Sequence, residues 1–300
     1  MLSSIENASS LLAKQATARG VVCGTGAALC WALGFVAARQ GVTSGLSPLV
    51  IALHRFAWPG LALLPLVARN NFADLRMVGL RRSAALALFG GLPLALLSYV
   101  GYVLVPLGHG AVIQPSCAAL GGLILARLVL KERLPARRVA GAALIVVGLA
   151  VIGAEALRTM GANGLLGDFL FVAAGSFFAI FSILVRLWRV AAMRAAAVTS
   201  VLSLAGLPFL LFDLGNMLAA GWFENAMQAI IQGALAGAGA IYLFTRAVVL
   251  LGASRAVLFP SLVPPFTLLI GYVTLGEAPS PPQLAGLVIL IVGFQLSQRA

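Results

Sequence analysis

Apolar stretches of close to twenty residues recur along the chain, separated by short breaks rich in Arg, Pro and Gly. Runs such as Val139–Val151 are apolar throughout and show no polar–apolar alternation, so they do not read as strands of an outer-membrane barrel. A bilayer core about 30 Å thick takes about 20 residues of helix at 1.5 Å per residue. Cutting at the breaks predicts spans over 20–39, 46–68, 83–105, 110–130, 136–153, 164–187, 192–214, 226–249, 252–275 and 281–298. The expected fold class is an all-α membrane protein of ten transmembrane helices. The longest polar break, Arg69–Arg82, leaves no room for an extramembrane domain, so function is expected inside the bundle.

Composition strengthens this reading. The 300 residues are 61% hydrophobic and 9% charged, whereas a soluble domain carries about 25% charged residues. A water-soluble enzyme, a disordered chain and a disulfide scaffold are all excluded on that ground. The net charge of +12 could suggest nucleic acid, but the basic residues form clusters between the apolar runs, as membrane orientation produces. With the N-terminus in the cytoplasm, seventeen of the twenty basic residues fall on the cytoplasmic side. Only Arg39 and Arg158 fall outside, and Arg55 lies within a span. Both termini are therefore expected in the cytoplasm, with residues 1–19 a cytoplasmic segment. The apolar run after Arg19 is too long for a signal-peptide core and is expected to be a retained first span. Cys23, Cys30 and Cys117 show no metal-ligand spacing and read as small packed hydrophobes. No metal, cofactor or nucleic acid is expected.

The chain repeats itself. At an offset of 145 residues, Ala111–Gly148 superposes on Ala256–Gly293 with 11 of 38 positions identical, among them Pro115/Pro260, Glu132/Glu277, Gly141/Gly286 and Gly148/Gly293. Near offset 147, Gly20 and Arg39 meet Gly167 and Arg186. Two five-helix units follow, 20–153 and 164–298. Five is odd, so the units are expected to run in opposite senses through the membrane. Inverted repeats place a substrate site near the midplane and give alternating access as the mechanism.

The stretch Leu128-Val129-Leu130-Lys131-Glu132-Arg133 with Gly141 and Gly148 resembles a signature of EamA-type carriers in the drug/metabolite transporter superfamily. Its second copy reads Leu275-Gly276-Glu277 with Gln283, Gly286 and Gly293. Trp31, Arg55-Phe56 and Gly167-Asp168 match as well, so the resemblance covers nearly the whole chain as two units. It implies ten helices and small-molecule transport, usually export. Trp31 with Ser98-Tyr99 is similar to the bacterial aromatic amino-acid exporter branch, which implies an inner-membrane location. The chain departs from the pattern in span six, where Phe177 and Phe178 stand in place of a Trp, and in span seven, which lacks a second Arg-Phe.

Candidate site residues follow from the cost of polarity in lipid. An Arg at a helix centre costs about 2.5–3.5 kcal/mol on insertion scales, so Arg55 should face a wet cavity, as counter-ion to a substrate carboxylate or as a structural cap. His54 points about 100° away on the same helix and reads as a cavity residue or a packed imidazole. Trp31, Tyr99 and Tyr102 are expected to wall an aromatic pocket, with Phe178, Phe181 and Tyr242 as second-half members. Gln114 and Ser261 are expected to offer polar contacts, while His109, Gln228 and Gln232 read equally well as interhelical hydrogen bonds. Pro115, Pro260, Pro264 and Pro265 mark expected hinges or gates. Gly233 and Gly237 read as a small-residue packing stripe.

All eight acids fall in loops or span ends, with Asp168 only a few residues into span six. Uncoupled movement down the substrate gradient is expected, or weak proton coupling through His54 or His109. The leading function is export of small neutral metabolites, with aromatic or bulky apolar amino acids foremost; the alternative is efflux of drugs or lipophilic compounds. No catalytic cluster assembles, so no enzyme is expected. A small-molecule substrate and the lipid bilayer are the expected partners, with the chain acting as a monomer.

Overall fold

The computed structural model describes residues 2–69, 73–131, 135–251, 256 and 259–298. Glu132, Arg133, Arg255, Val257 and Arg299, used in the repeat or the charge count, lie outside the described residues. Among the described residues the structure is helical, with no strand. The helices are α1 (Leu2–Thr43), α2 (Pro48–Arg69), α3 (Ala73–Val78), α4 (Leu80–Gly90), α5 (Leu92–Leu104), α6 (Leu107–Leu128), α7 (Ala136–Leu187), α8 (Ala192–Ser203), α9 (Leu210–Ala219), α10 (Gly221–Gln228), α11 (Ala240–Leu251), α12 (Val263–Leu275) and α13 (Pro281–Gln298). Among the described residues, seven helical stretches are long and apolar enough to cross a membrane, and Phe259–Leu275 and Pro281–Leu296 are shorter apolar helices.

Helix ends follow local chemistry. Ser280 and Gln283 form a reciprocal cap at the start of α13, each side-chain oxygen accepting the other's backbone N–H at 3.2–3.3 Å. Pro281 and Pro282 occupy the first turn, where their missing donors are not needed. Gly276 closes α12 at φ 68°, a left-handed conformation in which glycine bears no Cβ penalty.

Several expected spans are interrupted rather than straight. The span 83–105 breaks between α4 and α5 at Gly91. The span 192–214 passes through a 3-10 turn, Leu204–Phe209, where Pro208 has no N–H for an α-helical bond. The span 226–249 starts earlier, at Gly221, and widens into a π-helix over Ala229–Gly239. Its earlier start draws Glu224, expected outside the membrane, into α10 as a buried side chain. Gly161 stands inside α7 at φ 61° and ψ −142°, breaking it into two helical stretches.

The four repeated glycines meet one another. A Cβ at Gly148 would lie 3.0 Å from the Gly286 carbonyl oxygen, and one at Gly293 would lie 2.8 Å from that of Gly141. Gly148 also faces Leu290, and Gly293 faces Ile145, its repeat equivalent. Exchanging each residue for its counterpart in the other copy turns one contact into the other. As numbers rise along α7 they fall along α13, so the two helices pack antiparallel with their backbones in close approach.

At one end of the bundle, Arg39 near the close of α1 ties four segments. Its Nε donates to Glu277 Oε1 at 2.7 Å and its Nη1 to the Tyr102 carbonyl at 2.6 Å. Glu277 Oε2 accepts the Leu107 backbone N–H at 2.7 Å. That N–H is an orphan donor of the first turn of α6, and the Tyr102 carbonyl belongs to the last turn of α5, so one ion pair serves both helix ends.

Two measurements test this packing by thermal unfolding in detergent. Gly286→Leu would press on Ile152 and the Gly148 carbonyl and should lower stability by about 1–3 kcal/mol, whereas Gly122→Ala, which meets nothing within 4 Å, should be neutral. The exchange Arg39→Glu with Glu277→Arg should fail to restore stability, because the Leu107 N–H needs an acceptor at 277 and the Tyr102 carbonyl a donor at 39. Rescue would reduce the link to a simple ion pair.

Candidate functional site

Inside the bundle the polar groups converge on Gln232, in the π-helical segment. Its side chain is fully buried. Gln232 Oε1 accepts from Arg55 Nη1 at 3.3 Å and from the Tyr99 hydroxyl at 3.0 Å. Its Nε2 donates to the Gly34 carbonyl at 2.8 Å. Arg has no acceptor, so the amide oxygen must face Arg55, and the amide orientation is fixed by chemistry. Four elements meet here: α1, α2, α5 and the π-helical segment. Such wide turns are rare and collect at functional sites.

The backbone of α2 approaches this segment closely. A Cβ at Gly233 would lie 2.9 Å from the His54 carbonyl oxygen, and one at Gly237 3.3 Å from that of Arg55. Pro59, four residues after Arg55, has no N–H to offer that carbonyl. Small residues at 233 and 237 thus set the depth at which Arg55 is held.

Arg55 is only partly buried. Among the described residues no carboxylate lies within ion-pair distance of its guanidinium. The Gln232 amide to which it donates is neutral. A cation so placed within a span gains little compensation, and this is the main electrostatic fact of the site.

A polar stripe continues from Gln232 toward the start of α10. Gln228 Nε2 donates to the Ala37 carbonyl at 2.7 Å and to Glu224 Oε1 at 2.9 Å. Glu224 Oε2 accepts from Gln40 Nε2 at 3.2 Å. Beside it His54 is fixed in one tautomer. Trp58 Nε1, which can only donate, bonds His54 Nδ1 at 3.0 Å, so Nε2 carries the proton shared with Asn225 Oδ1 at 3.0 Å. His54 and Arg55 therefore dock on one stripe at two levels.

The other expected site residues separate. Tyr102 is buried between Phe35 and Phe171, at ring-centroid distances of 6.5 and 4.8 Å, and its hydroxyl has no partner among the described residues. Trp31 packs on Phe244 at 5.5 Å and on the cluster around Val263. Gln114 Oε1 accepts from the Ser98 hydroxyl at 2.9 Å, linking α6 to α5. Phe178 is exposed and rests on Phe181, which abuts Gly90 on α4. Tyr242 is exposed and lines a groove of about 680 Å³ with Arg19, Cys23 and Arg246. Ser261 and Pro260 lie in the 3-10 turn Phe259–Leu262; Pro264 and Pro265 open α12, and Pro115 sits within the continuous α6. The cluster thus gathers Arg55 and Tyr99, with Tyr102 one turn along α5; Phe178, Phe181 and Tyr242 stand elsewhere.

Sequence reasoning gave Gln232 an interhelical role and missed that two donors share its oxygen. Nor did it find the partner of His109. Asp168 Oδ1 lies 2.8 Å from His109 Nδ1, and both side chains are buried. Two carboxylates, Glu224 and Asp168, therefore lie buried within stretches able to cross a membrane.

No curated protein matches the chain in sequence. A solved structure described as "Crystal structure of protein" is similar over 93% of this chain and 96% of its own, at 20% identity and a TM-score of 0.58, a likeness of fold. The model of the EamA-like transporter family matches twice, over residues 18–154 and 165–297. Two copies of the family's unit account for nearly all of the chain, which belongs to the EamA-like transporter family and is a multi-pass membrane transporter of the drug/metabolite transporter superfamily.

Proposed function

We propose that this transporter exports small neutral metabolites bearing a carboxylate, aromatic or bulky apolar amino acids foremost, across a bacterial inner membrane. The observation that carries the reading is the Arg55 guanidinium, held in a span beside the neutral Gln232 amide with no carboxylate within ion-pair distance among the described residues. A substrate carboxylate supplies the missing charge, in the bidentate geometry that guanidinium favours. Tyr99 and the Gln232 amide stand beside it to position the ligand. Phe35, Tyr102 and Trp31 supply apolar and aromatic surface within a turn or two along α1 and α5, as an amino-acid side chain and its ammonium require.

Ten spans in two inverted five-helix units form the bundle in this reading, with residues 20–153 and 164–298 as the units. The antiparallel, self-matching glycine contact between α7 and α13 supports the inversion. Both termini face the cytoplasm. The Arg39–Glu277 tie then belongs to the outer face, where it closes the bundle, and access alternates between the two sides. Pro115, Pro260, Pro264 and Pro265 serve as hinges in this reading, Pro115 from within the continuous α6.

Reconstituted vesicles test the substrate. Labelled Phe, Trp, Tyr or Met should show saturable counterflow. Arg55→Gln should slow it at least about tenfold, as expected for loss of a charge-assisted hydrogen bond, without lowering the melting temperature. Tyr99→Phe should cost severalfold. Flux of lipophilic dyes without amino-acid counterflow would replace this reading with drug efflux. Cysteines placed at both termini should resist an impermeant label applied from the periplasmic side.

A further inference from the structure

The protein has two histidines, and their surroundings divide their roles. His54 has both ring nitrogens engaged, accepting from Trp58 at Nδ1 and bonding Asn225 at Nε2. A further proton could enter only by breaking the Trp58 bond. His109 differs: its Nδ1 faces Asp168, while His109 Nε2 and Asp168 Oδ2 are both buried without a partner among the described residues. Each is the atom at which a proton could be added or removed.

The charge balance of this pair depends on one proton. A neutral imidazole donating from Nδ1–H to the Asp168 carboxylate leaves one uncompensated negative charge. A proton added at Nε2 makes an imidazolium–carboxylate pair of no net charge. A sealed apolar site tolerates the neutral sum far better than the lone charge, whereas water reaching the pair would stabilise either form. Opening and closing of the surroundings should therefore exchange a proton with whichever side supplies the water.

The groups facing the pair do not remove this imbalance. On α5, Tyr102 packs its ring against the backbone at Gly110 beside His109. From α13, Gln283 reaches Gly108. Arg39 on α1 and Glu277 after α12 neutralise each other, and Glu277 holds the Leu107 N–H, two residues before His109 on the same first turn of α6. On α7, Phe171 lies one turn beyond Asp168 and presses on Gly110. The proton site thus shares a helix turn with the tie that closes this end of the bundle.

We propose that the His109–Asp168 pair is a proton-binding site that couples transport to the proton gradient, gaining a proton at His109 Nε2 when sealed and exchanging it when open. The proposal rests on the transport reading above, but its first test needs no substrate. In lipid nanodiscs, a His54→Gln protein has one remaining imidazole, whose ¹⁵N signals report on His109 alone. These signals should report a proton arriving at Nε2 as the pH of the bathing solution is lowered, and Asp168→Asn should change that response. In vesicles loaded with labelled phenylalanine, an imposed proton gradient of about tenfold should change accumulation by up to about tenfold for one proton per substrate. Asp168→Asn and His109→Gln, each checked for an unchanged melting temperature, should keep exchange at equal pH and lose the gradient response.

A His109 signal that does not titrate would overturn the proposal. So would a gradient response that survives in both variants, or its absence in a wild-type protein that does exchange phenylalanine. Absence of phenylalanine exchange in wild type would sink the substrate reading, and the ¹⁵N titration would then decide the proton site on its own.

Discussion

An amide oxygen shared by two donors is the constraint around which this bundle is arranged. In a lipid solvent a polar group finds its partner inside the protein or goes without. Gln232 meets that demand for three others at once, taking hydrogen bonds from Arg55 and Tyr99 and returning one to the Gly34 carbonyl. The bare glycine surfaces at 233 and 237 bring α2 close enough for this to happen. Removing the amide would strand a guanidinium, a phenol and a carbonyl together.

The same logic orders the periphery. Arg39 and Glu277 join a donor and an acceptor left over at two helix ends, so their ion pair acts as a splice between α5 and α6 as much as a charge contact. Glu224 performs a similar service for Gln40 and Gln228. These two ties are sited where a helix begins, ends or changes pitch, where the backbone has bonding capacity to share.

Much of this was legible in the sequence. Long apolar runs marked an all-helical membrane protein, of which seven stretches among the described residues are long and apolar enough to span, and the paired glycines marked a duplication whose close backbone contact only the structure shows. Arg55 stood out because its charge has no business in lipid without a purpose. What stayed hidden was pairing across long separations. Asp168 and His109 lie 59 residues apart, and neither carries a local signal of the other. The π-helical turn was equally invisible, because its composition of Ala, Gly, Ile and Leu reads as an ordinary span. Glu224 was assigned to water because sequence cutting ends a helix at its first charge, whereas a charge with two amide partners can extend it inward.

The glycine contact between α7 and α13 carries a consequence of its own. A surface that maps onto itself when the copies are exchanged has the form of an isologous dimer interface, here formed within a single polypeptide. Two separate copies of the family's unit, meeting through the same glycines, would pack in the same manner. The covalent link then adds fixed stoichiometry and the freedom for the halves to diverge, so that Arg55 could arise on one side without a twin on the other.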